Sequence, residues 1–290
     1  MTASALRALL TSGRVTHVPG VHDPMTAALA VAAGHRAVHL SSVAVSATML
    51  GRPDLGFVHA TQIADRAATL APALRGTPLL ADADTGYGNP EHAVWTGLAY
   101  SRAGISGLHL EDRVSPKRYG HPAGTEVIET GLAAAKIQAL ADQVPELAII
   151  ARTDAYAVHG LGDTIARCVA YAGAGADAVC PDGVRDAGEL AAISRALPGV
   201  PLVINRSEAA ADVPTWTDAE LAEAGVRLVL HPVAALLAAM RAASVTYRAI
   251  ADTGNAESVE RMPWATFTTL TGQDDTLDAD ARYVPARLQT

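Results

Sequence analysis

The chain alternates short apolar runs with longer alanine-rich segments eight times over, and this alternation constrains its fold more than any other feature. The predicted strands lie at residues 15–19, 37–41, 78–82, 107–111, 148–152, 178–181, 200–205 and 227–231. Segments of helical character follow them at residues 24–33, 61–74, 90–103, 131–142, 163–172, 186–196, 218–224 and 233–250. Continuous apolar strands separated by helices are typical of a buried parallel sheet. Eight such units close a barrel, so the sequence predicts an α/β fold of the (β/α)8 TIM-barrel type.

Polar residues at the ends of the predicted strands favour a closed barrel over an open doubly wound sheet. Five strands end at or just before such a residue, namely Asp82, Glu111, Arg152, Asp182 and Asn205. A barrel gathers these ends in one mouth, whereas an open sheet spreads them along an edge and usually carries a glycine-rich first turn. The first turn here, residues 19–24, contains no GxGxxG motif. We therefore predict a catalytic barrel domain over residues 1–250 and a helical C-terminal extension over residues 251–290.

Composition argues against several classes of protein. The 290 residues are 50% hydrophobic and carry a formal net charge of −8, which does not suit a nucleic acid or an anionic membrane as partner. The two cysteines, Cys168 and Cys180, lack CxxC spacing, so neither a disulfide framework nor a zinc site is expected. No signal peptide and no apolar run of membrane-spanning length is recognised. These features predict a cytoplasmic protein.

Two carboxylates one residue apart suggest a metal site. Asp82 and Asp84 follow an apolar run and precede Gly86 and Gly88. Side chains alternate along a strand, so the two carboxylates point the same way, and the glycines let the backbone turn closely around whatever they hold. Aligned carboxylates suit a hard divalent cation, Mg²⁺ above all, and Glu111 adds a third acid to the same mouth. The alternative is a solvated loop in which the aspartates act as caps.

Arg152 ends the fifth predicted strand, at a barrel mouth that is predicted to contain several acidic residues. A guanidinium there suits bidentate capture of a substrate carboxylate. The alternative is a structural ion pair with Asp82, Asp84 or Glu111. Both interpretations place Arg152 at the functional end of the barrel.

A long connection at residues 114–122 concentrates charge beside the mouth. It contains two cations, Lys117 and Arg118, followed by the phenol of Tyr119 and the imidazole of His121. A long loop with glycine and proline at the rim of a barrel is a candidate lid. The alternative is a solvated basic loop.

Seven short motifs in a fixed order resemble the isocitrate lyase/phosphoenolpyruvate mutase superfamily, in particular its short members, 2-methylisocitrate lyase and carboxyphosphonoenolpyruvate mutase. They lie at residues 20–24, 49–56, 82–88, 110–112, 117–121, 151–155 and 180–182, and the resemblance covers roughly residues 10–250. It implies a (β/α)8 barrel with one Mg²⁺, or Mn²⁺, in its mouth. It also implies a homo-oligomer, often a tetramer in which a terminal helix is exchanged between subunits.

The same resemblance assigns roles to individual residues. Asp82, Asp84 and, through water, Glu111 would support the metal ion, and Asp54 would lie near metal and substrate. Ser41 and Ser42 occupy the turn that binds the carboxylate of an α-oxyacid in this superfamily. Arg152 would hold a carboxylate and stabilise negative charge.

The mobile-loop motif departs from the superfamily pattern at one position. Lyases of the superfamily usually carry Lys-Arg-Cys-Gly-His, and here Tyr119 replaces the proton-donating cysteine between Arg118 and Gly120. A phenol, with a reference pKa of about 10 against about 8.5 for a thiol, can still donate a proton. Lys117 and His121 retain their places. Catalytic roles are therefore predicted for Lys117, Arg118, Tyr119 and His121, and contact with the substrate is predicted for Gly120.

Departures near the predicted substrate pocket indicate a changed substrate. The superfamily's Pro-Glu-Ala after strand six is here Pro-Asp-Gly, with Asp182 in the acidic position. The superfamily's Asn-x-Thr-Glu-Phe-Gly-x-Thr-Pro after strand seven is here Asn205-Arg-Ser207-Glu followed by three alanines. His231 replaces the usual tyrosine after strand eight. We therefore predict that Asp182, Asn205, Ser207 and His231 contact the substrate.

These observations leave three hypotheses about function. The first is a Mg²⁺-dependent carbon–carbon lyase that converts a small 2-hydroxy or 2-oxo di- or tricarboxylate to an α-keto acid and a second carboxylate. The second is phosphonate or α-keto acid chemistry on the same metal, as a P–C mutase, a hydrolase or a decarboxylase. The third is an inactive barrel that binds a metabolite.

Six histidines show no HExxH or other metal-ligand spacing, so most of them are predicted to be structural or on the surface: His22, His35, His39, His59, His92 and His159.

Overall fold

A computed structural model describes residues 2–117, 126–208 and 216–284, in two compact units that divide between residues 236 and 237. The first unit is built on eight parallel strands in the order β1-β8-β7-β6-β5-β4-β3-β2. The strands are β1 (Thr16–Pro19), β2 (Val38–Leu40), β3 (Leu79–Asp82), β4 (Gly107–Glu111), β5 (Ala148–Thr153), β6 (Ala178–Pro181), β7 (Leu202–Asn205) and β8 (Val226–His231).

Gly20, one residue beyond β1, helps to close the sheet into a barrel. Its amide donates to the carbonyl of His231 in β8 at 2.8 Å, and the amide of Val21 donates to the carbonyl of His39 in β2 at 2.8 Å. A Cβ atom at Gly20 would collide with the backbone carbonyl of Pro232, so this close approach requires glycine. The predicted (β/α)8 barrel is confirmed.

Helices follow the strands as the sequence predicts, and short additional helices occur beside them. The helices are α1 (Thr2–Leu10), α2 (Pro24–Ala32), α3 (Ser42–Val45), α4 (Ala60–Leu74), α5 (Pro90–Arg102), α6 (Thr130–Gln143), α7 (Tyr156–His159), α8 (Leu161–Gly173), α9 (Ala187–Ala196), α10 (Asp218–Glu223), α11 (Ala234–Thr253), α12 (Trp264–Thr271) and α13 (Gln273–Ala281). A π-helical turn, Ser46–Leu50, continues α3. Side-chain caps fix several starts; for example, Asp23 accepts from the amide of Thr26 at 2.7 Å before α2.

Helix α1, which the sequence analysis did not predict, contacts the end of the barrel opposite the mouth. Its Leu6, Leu9 and Leu10 are buried in the core that the inward-facing strand residues form. Arg7 on the same helix donates to the carboxylate of Asp177, just before β6, at 2.8 Å. The carboxyl ends of the strands lie at the opposite end, which is the functional end of a barrel of this type.

The second unit, from residue 237 onward, is helical. It contains most of α11 together with α12 and α13, which Gly272 joins at a φ of +67°. Trp264 and Phe267 of α12 stack with their ring centroids 5.0 Å apart. The predicted helical extension is present, and its exchange between subunits stays a prediction. Within the described residues, no helix combines the length and apolar character needed to cross a membrane.

Candidate active site

The carboxyl ends of neighbouring strands bring most of the predicted polar residues together. Glu111 at the end of β4 lies beside Arg152 of β5 in the strand register. Asp182, directly beyond β6, accepts a hydrogen bond from Arg152 at 3.0 Å. Asn205 ends β7, and its side chain hydrogen-bonds to Asp182. The barrel therefore forms one continuous polar mouth from these strands.

Asp82, the last residue of β3, accepts hydrogen bonds at both carboxylate oxygens. Oδ1 faces Nε2 of His39 at 3.0 Å and Nδ1 of His109 at 3.2 Å. Oδ2 accepts from the amide of Ser42 at 2.9 Å and from the hydroxyls of Ser41 and Ser42 at 3.2 Å. Burial would raise the pKa of this carboxyl, but the two imidazoles outweigh burial and hold the pKa of Asp82 well below its usual range. Asp82 is thus ionised, and both imidazoles donate to it.

Lys117 lies at the centre of a second cluster, with its ammonium between two aspartates. Nζ is 2.7 Å from Oδ2 of Asp54, 2.7 Å from Oδ1 of Asp84 and 3.2 Å from the hydroxyl of Ser42. The side chains of Lys117, Asp54 and Asp84 are at most 10% exposed. Burial disfavours the ammonium, yet the charges of Glu111, Asp84 and Asp54 raise the pKa of Lys117 overall. The amine therefore stays protonated in this acidic pocket.

Glu111 is the third predicted metal-binding acid and lies buried in the same mouth. Burial raises the pKa of Glu111 to about 8, although Lys117 and Arg152 oppose the shift. Its Oε2 lies 3.7 Å from Nε of Arg152. Among the described residues, its buried Oε1 has no hydrogen-bond partner. A buried oxygen without a donor is a position at which a ligand or cation would be favourable.

Arg152 is held in place by acids on two sides. Its guanidinium donates in a bidentate manner to Asp154, at 2.9 Å and 2.7 Å, and also to Asp182 at 3.0 Å. These carboxylates raise the pKa of the guanidinium against the effect of burial, which lowers it. The sequence-based alternative of an ion pair is thus realised, but mainly with Asp154 and Asp182. A rigidly oriented, buried cation at the mouth suits recognition of a substrate carboxylate.

Asp112 organises the support behind Arg152. Its carboxylate accepts from the hydroxyls of Thr153 and Tyr171 at 2.7 Å each and from the guanidinium of Arg167 at 3.0 Å. It also accepts from the backbone amide of Asp154 at 3.0 Å. The network is buried and ties the end of β4 to the segment that orients Arg152.

We expect Asp112→Ala to lower the free energy of unfolding by about 3–5 kcal/mol, because the buried donors of Arg167, Thr153 and Tyr171 would lose the carboxylate that they share. Urea denaturation followed by circular dichroism measures this loss. Asp163→Ala is the matched control: Asp163 also binds Arg167, at 2.8 Å, but its side chain is 34% exposed, so the loss should stay below about 1 kcal/mol. Equal effects in the two variants would contradict the assignment.

The oxygen-rich pocket fits a hard divalent cation. Asp54, Asp84 and Ser42 already surround a positive charge, the ammonium of Lys117, and Glu111 interacts electrostatically with it. The unpartnered Oε1 of Glu111 adds a further oxygen donor. Carboxylate and hydroxyl oxygens are the ligands that Mg²⁺ and Mn²⁺ prefer.

A second group of possible ligands shares Asp82. His39, Asp82 and His109 offer ligand atoms within 4.8 Å of one another, a mixed nitrogen and oxygen set that would suit a transition metal. Among the described residues, however, the outer nitrogens, Nδ1 of His39 and Nε2 of His109, have no partner. Metal-bound imidazoles usually donate their outer N–H to a neighbour, so this arrangement favours hydrogen bonding to Asp82 over metal ligation.

Comparison with known proteins decides the family. The family profile described as phosphoenolpyruvate phosphomutase matches residues 6–251. The chain belongs to the phosphoenolpyruvate mutase/isocitrate lyase superfamily. This confirms the resemblance on which the site assignments depend, and the relatives that are named lyases confirm the prediction of an enzyme of the lyase class.

Two relatives in the superfamily are named lyases. The chain is 32% identical over 290 residues to 2,3-dimethylmalate lyase of Eubacterium barkeri, covering 99% of both chains. It is 37% identical over 240 residues to 2-methylisocitrate lyase of Bacillus subtilis, covering 83% of this chain and 78% of the relative.

Solved structures in the superfamily share the fold along nearly the whole chain. Oxaloacetate acetylhydrolase in complex with 3,3-difluorooxalacetate matches with a TM-score of 0.89 and 30% identity, covering 97% of each chain. Phosphonopyruvate hydrolase in complex with oxalate and Mg²⁺ matches with a TM-score of 0.86 and 29% identity, covering 98% of this chain and all of the other. That hydrolase thus binds Mg²⁺ together with oxalate.

Three groups of predicted site residues have different outcomes. Arg118, Tyr119, Gly120 and His121 lie outside the described residues, so their roles stay predictions. Ser207, two residues beyond β7, is partly buried. His231 does not join the acid cluster: its Nε2 lies 2.9 Å from Nδ1 of His17, whose other ring nitrogen faces Asp218 of α10 at 3.0 Å.

Sequence reasoning missed the two imidazoles that bind Asp82. His39 was expected to be structural or on the surface, and His109 was not considered. Both are buried at the mouth. A signal was available, because strand periodicity puts His109 on the same face as Glu111 and His39 on the same face as Ser41. Asp154 was likewise missed, although it follows Arg152 by two residues.

Proposed function

We propose that the protein is a Mg²⁺-dependent carbon–carbon lyase that acts on a small 2-hydroxy or 2-oxo di- or tricarboxylate. From a 2-hydroxy acid the products would be an α-keto acid and a second carboxylate. From a 2-oxo acid, cleavage of the same bond would consume water and give oxalate or a related acid together with a second carboxylate. The observation that carries the proposal is the buried guanidinium of Arg152 beside a pocket of carboxylates that fits a divalent cation. The end-to-end match to 2,3-dimethylmalate lyase supports the same class of chemistry.

The acids of the mouth would hold the cation. Asp82, Asp84 and Glu111 are the proposed metal-binding residues, with Asp54 beside them. A bound Mg²⁺ would supply electrophilic stabilisation of the substrate's 2-oxygen and an adjoining carboxylate. Ser41 and Ser42 carry the amide and hydroxyl donors proposed to orient that carboxylate.

Arg152 would bind the departing carboxylate. Its guanidinium is already oriented by Asp154 and Asp182, so little reorganisation is needed when negative charge develops on the leaving fragment. Asn205 and Asp182 line the same side of the mouth and would contribute to the choice of substrate. His231 is paired with His17, which makes direct contact with the substrate less favourable than the sequence suggests.

Release of an α-keto acid tests the proposal directly. Purified protein would be incubated with Mg²⁺ and a panel of 2-hydroxy di- and tricarboxylates and assayed for α-keto acid release. 2-Oxo dicarboxylates are included because of the similarity to oxaloacetate acetylhydrolase, and their cleavage to two carboxylates is followed by NMR. We expect α-keto acid release from at least one 2-hydroxy acid, and its loss when EDTA is added. No release across a broad panel would contradict the proposal.

We expect Tyr119→Phe to lower kcat by about 10²–10⁴-fold with little change in KM if the phenol donates the proton to the departing fragment. Tyr119→Ala separates this role from pocket shape, because a purely steric residue would alter mainly KM. A nearly unchanged kcat in Tyr119→Phe would contradict this role and would indicate that His121 or water donates the proton.

Phosphonate chemistry is the second candidate, favoured by the family profile and by the similarity to phosphonopyruvate hydrolase. Phosphorus NMR on candidate phosphonates separates it from the lyase. New phosphorus signals without carbon–carbon cleavage would favour this candidate.

An inactive metabolite-binding barrel would give neither α-keto acid release nor new phosphorus signals. The tetrameric state and the cytoplasmic location stay predictions.

A further inference from the structure

We infer that Lys117 acts as a built-in competitor of the divalent cation, so that metal binding and release of the Lys117 ammonium from the acid pocket are coupled. The inference rests on the proposed function in one respect, the presence of a divalent cation in this mouth. Beyond the proposed function, we infer that the ammonium of Lys117 lowers the affinity of the mouth for the divalent cation.

The hydrogen-bond geometry of Lys117 is the first support. An ammonium has three N–H donors, and Nζ has three oxygen acceptors at 2.7 Å, 2.7 Å and 3.2 Å: Asp54, Asp84 and Ser42. All three belong to the group of residues that the superfamily assigns to metal and substrate. In this arrangement the ammonium has no donor left for a substrate carboxylate.

Charge is the second support. Asp54 and Asp84 each place a carboxylate oxygen 2.7 Å from the ammonium of Lys117, which is only 7% exposed. Two carboxylates so close together, with little water to screen them, require a positive partner. Lys117 supplies that charge when the divalent cation is absent.

Competition follows because both cations use the same oxygens. A divalent ion bound to Asp54 or Asp84 would repel the ammonium and take away its acceptors, so Lys117 must leave. Coupling of this kind is reciprocal. The free energy by which bound Lys117 weakens Mg²⁺ binding equals the free energy by which bound Mg²⁺ weakens the binding of Lys117 in the acid pocket. Once released, the ammonium is available to an anionic substrate.

Calorimetric titration of metal-free protein with Mg²⁺ tests the coupling. We expect Lys117→Met, which removes the charged group and keeps an unbranched side chain one atom shorter, to bind Mg²⁺ at least about tenfold more tightly than the unmodified protein. Lys117→Arg is the matched control that keeps the charge, and its affinity should stay within about threefold of the unmodified protein. Unchanged or weaker binding by Lys117→Met would overturn the inference.

Amine labelling gives a second test that needs no variant. The chain contains only two lysines, Lys117 and Lys136, and both are buried. Lys136 donates to the carbonyl of Thr85 at 2.9 Å from helix α6, so it serves as an internal control. We expect Mg²⁺ to increase acetylation of Lys117 several-fold, measured by mass spectrometry of peptides, while acetylation of Lys136 stays constant. Equal acetylation of Lys117 with and without Mg²⁺ would overturn the inference.

The outcomes separate this inference from the proposed function. Tighter binding by Lys117→Met and metal-dependent labelling, without turnover of any acid in the panel, would leave the competitor role intact and reject the lyase. Turnover with Mg²⁺ but without either Lys117 effect would support the lyase and reject the competitor role. Failure of every form of the protein to bind Mg²⁺ would reject both.

Discussion

We expect Arg152→Lys to lower kcat/KM by about 10²–10³-fold, the scale on which loss of one oriented donor to developing charge acts. Lysine keeps the positive charge but cannot reproduce the planar fork that binds Asp154 at 2.9 Å and 2.7 Å and still reaches Asp182. Steady-state kinetics on the best acid of the panel, with the kcat and KM effects reported separately, measures the loss.

Arg102→Lys is the control for Arg152→Lys. Arg102 lies in the last turn of α5 and is exposed, so its replacement should change kcat/KM by less than about twofold. Thermal unfolding of both variants shows whether the barrel is intact. If Arg152→Lys lowered kcat/KM by less than about threefold, Arg152 would not stabilise the reacting fragment.

We expect Asp84→Asn to remove Mg²⁺-dependent turnover and to weaken Mg²⁺ binding by about 100-fold or more, because a hard cation loses one of its anionic ligands. Asparagine suits this position: Asp84 has a φ of +42°, a left-handed conformation that asparagine tolerates and alanine does not. The substitution therefore changes charge with little backbone strain.

Calorimetry and the α-keto acid assay measure the Asp84→Asn effect on binding and on turnover. Asp65→Asn, on an exposed position of α4, removes the same charge far from the acid pocket and should leave both quantities unchanged. Retention of full Mg²⁺ affinity by Asp84→Asn would remove Asp84 from the metal site.

The barrel was predictable because local patterns repeat along the chain. All eight strands lie within two residues of their predicted positions, since each is an apolar run bounded by polar or glycine residues. Helix α1 was not predicted, because its role depends on Leu6 and Leu10 meeting side chains from distant strands. Nothing in the local sequence of residues 2–10 indicates that contact.

The candidate site was predictable in its members but not in its pairings. Asp82, Glu111 and Arg152 were expected at strand ends, and the barrel brings such ends together. That His39 and His109 would bind Asp82 depends on three strands being neighbours in the right register. The position of Lys117 depends on the path of a loop, which side-chain periodicity does not specify. Pairing of His231 with His17 follows from closure between β8 and β1.

A crystal structure of the protein with Mg²⁺ and oxalate tests the central claim most directly, namely that this mouth binds an α-oxyacid on a divalent cation. We predict one cation bound by carboxylates of the group Asp54, Asp82, Asp84 and Glu111, with oxalate in contact with it and Lys117 displaced from the acid pocket. A cation held only by His39, Asp82 and His109, or oxalate bound outside the mouth, would contradict the account.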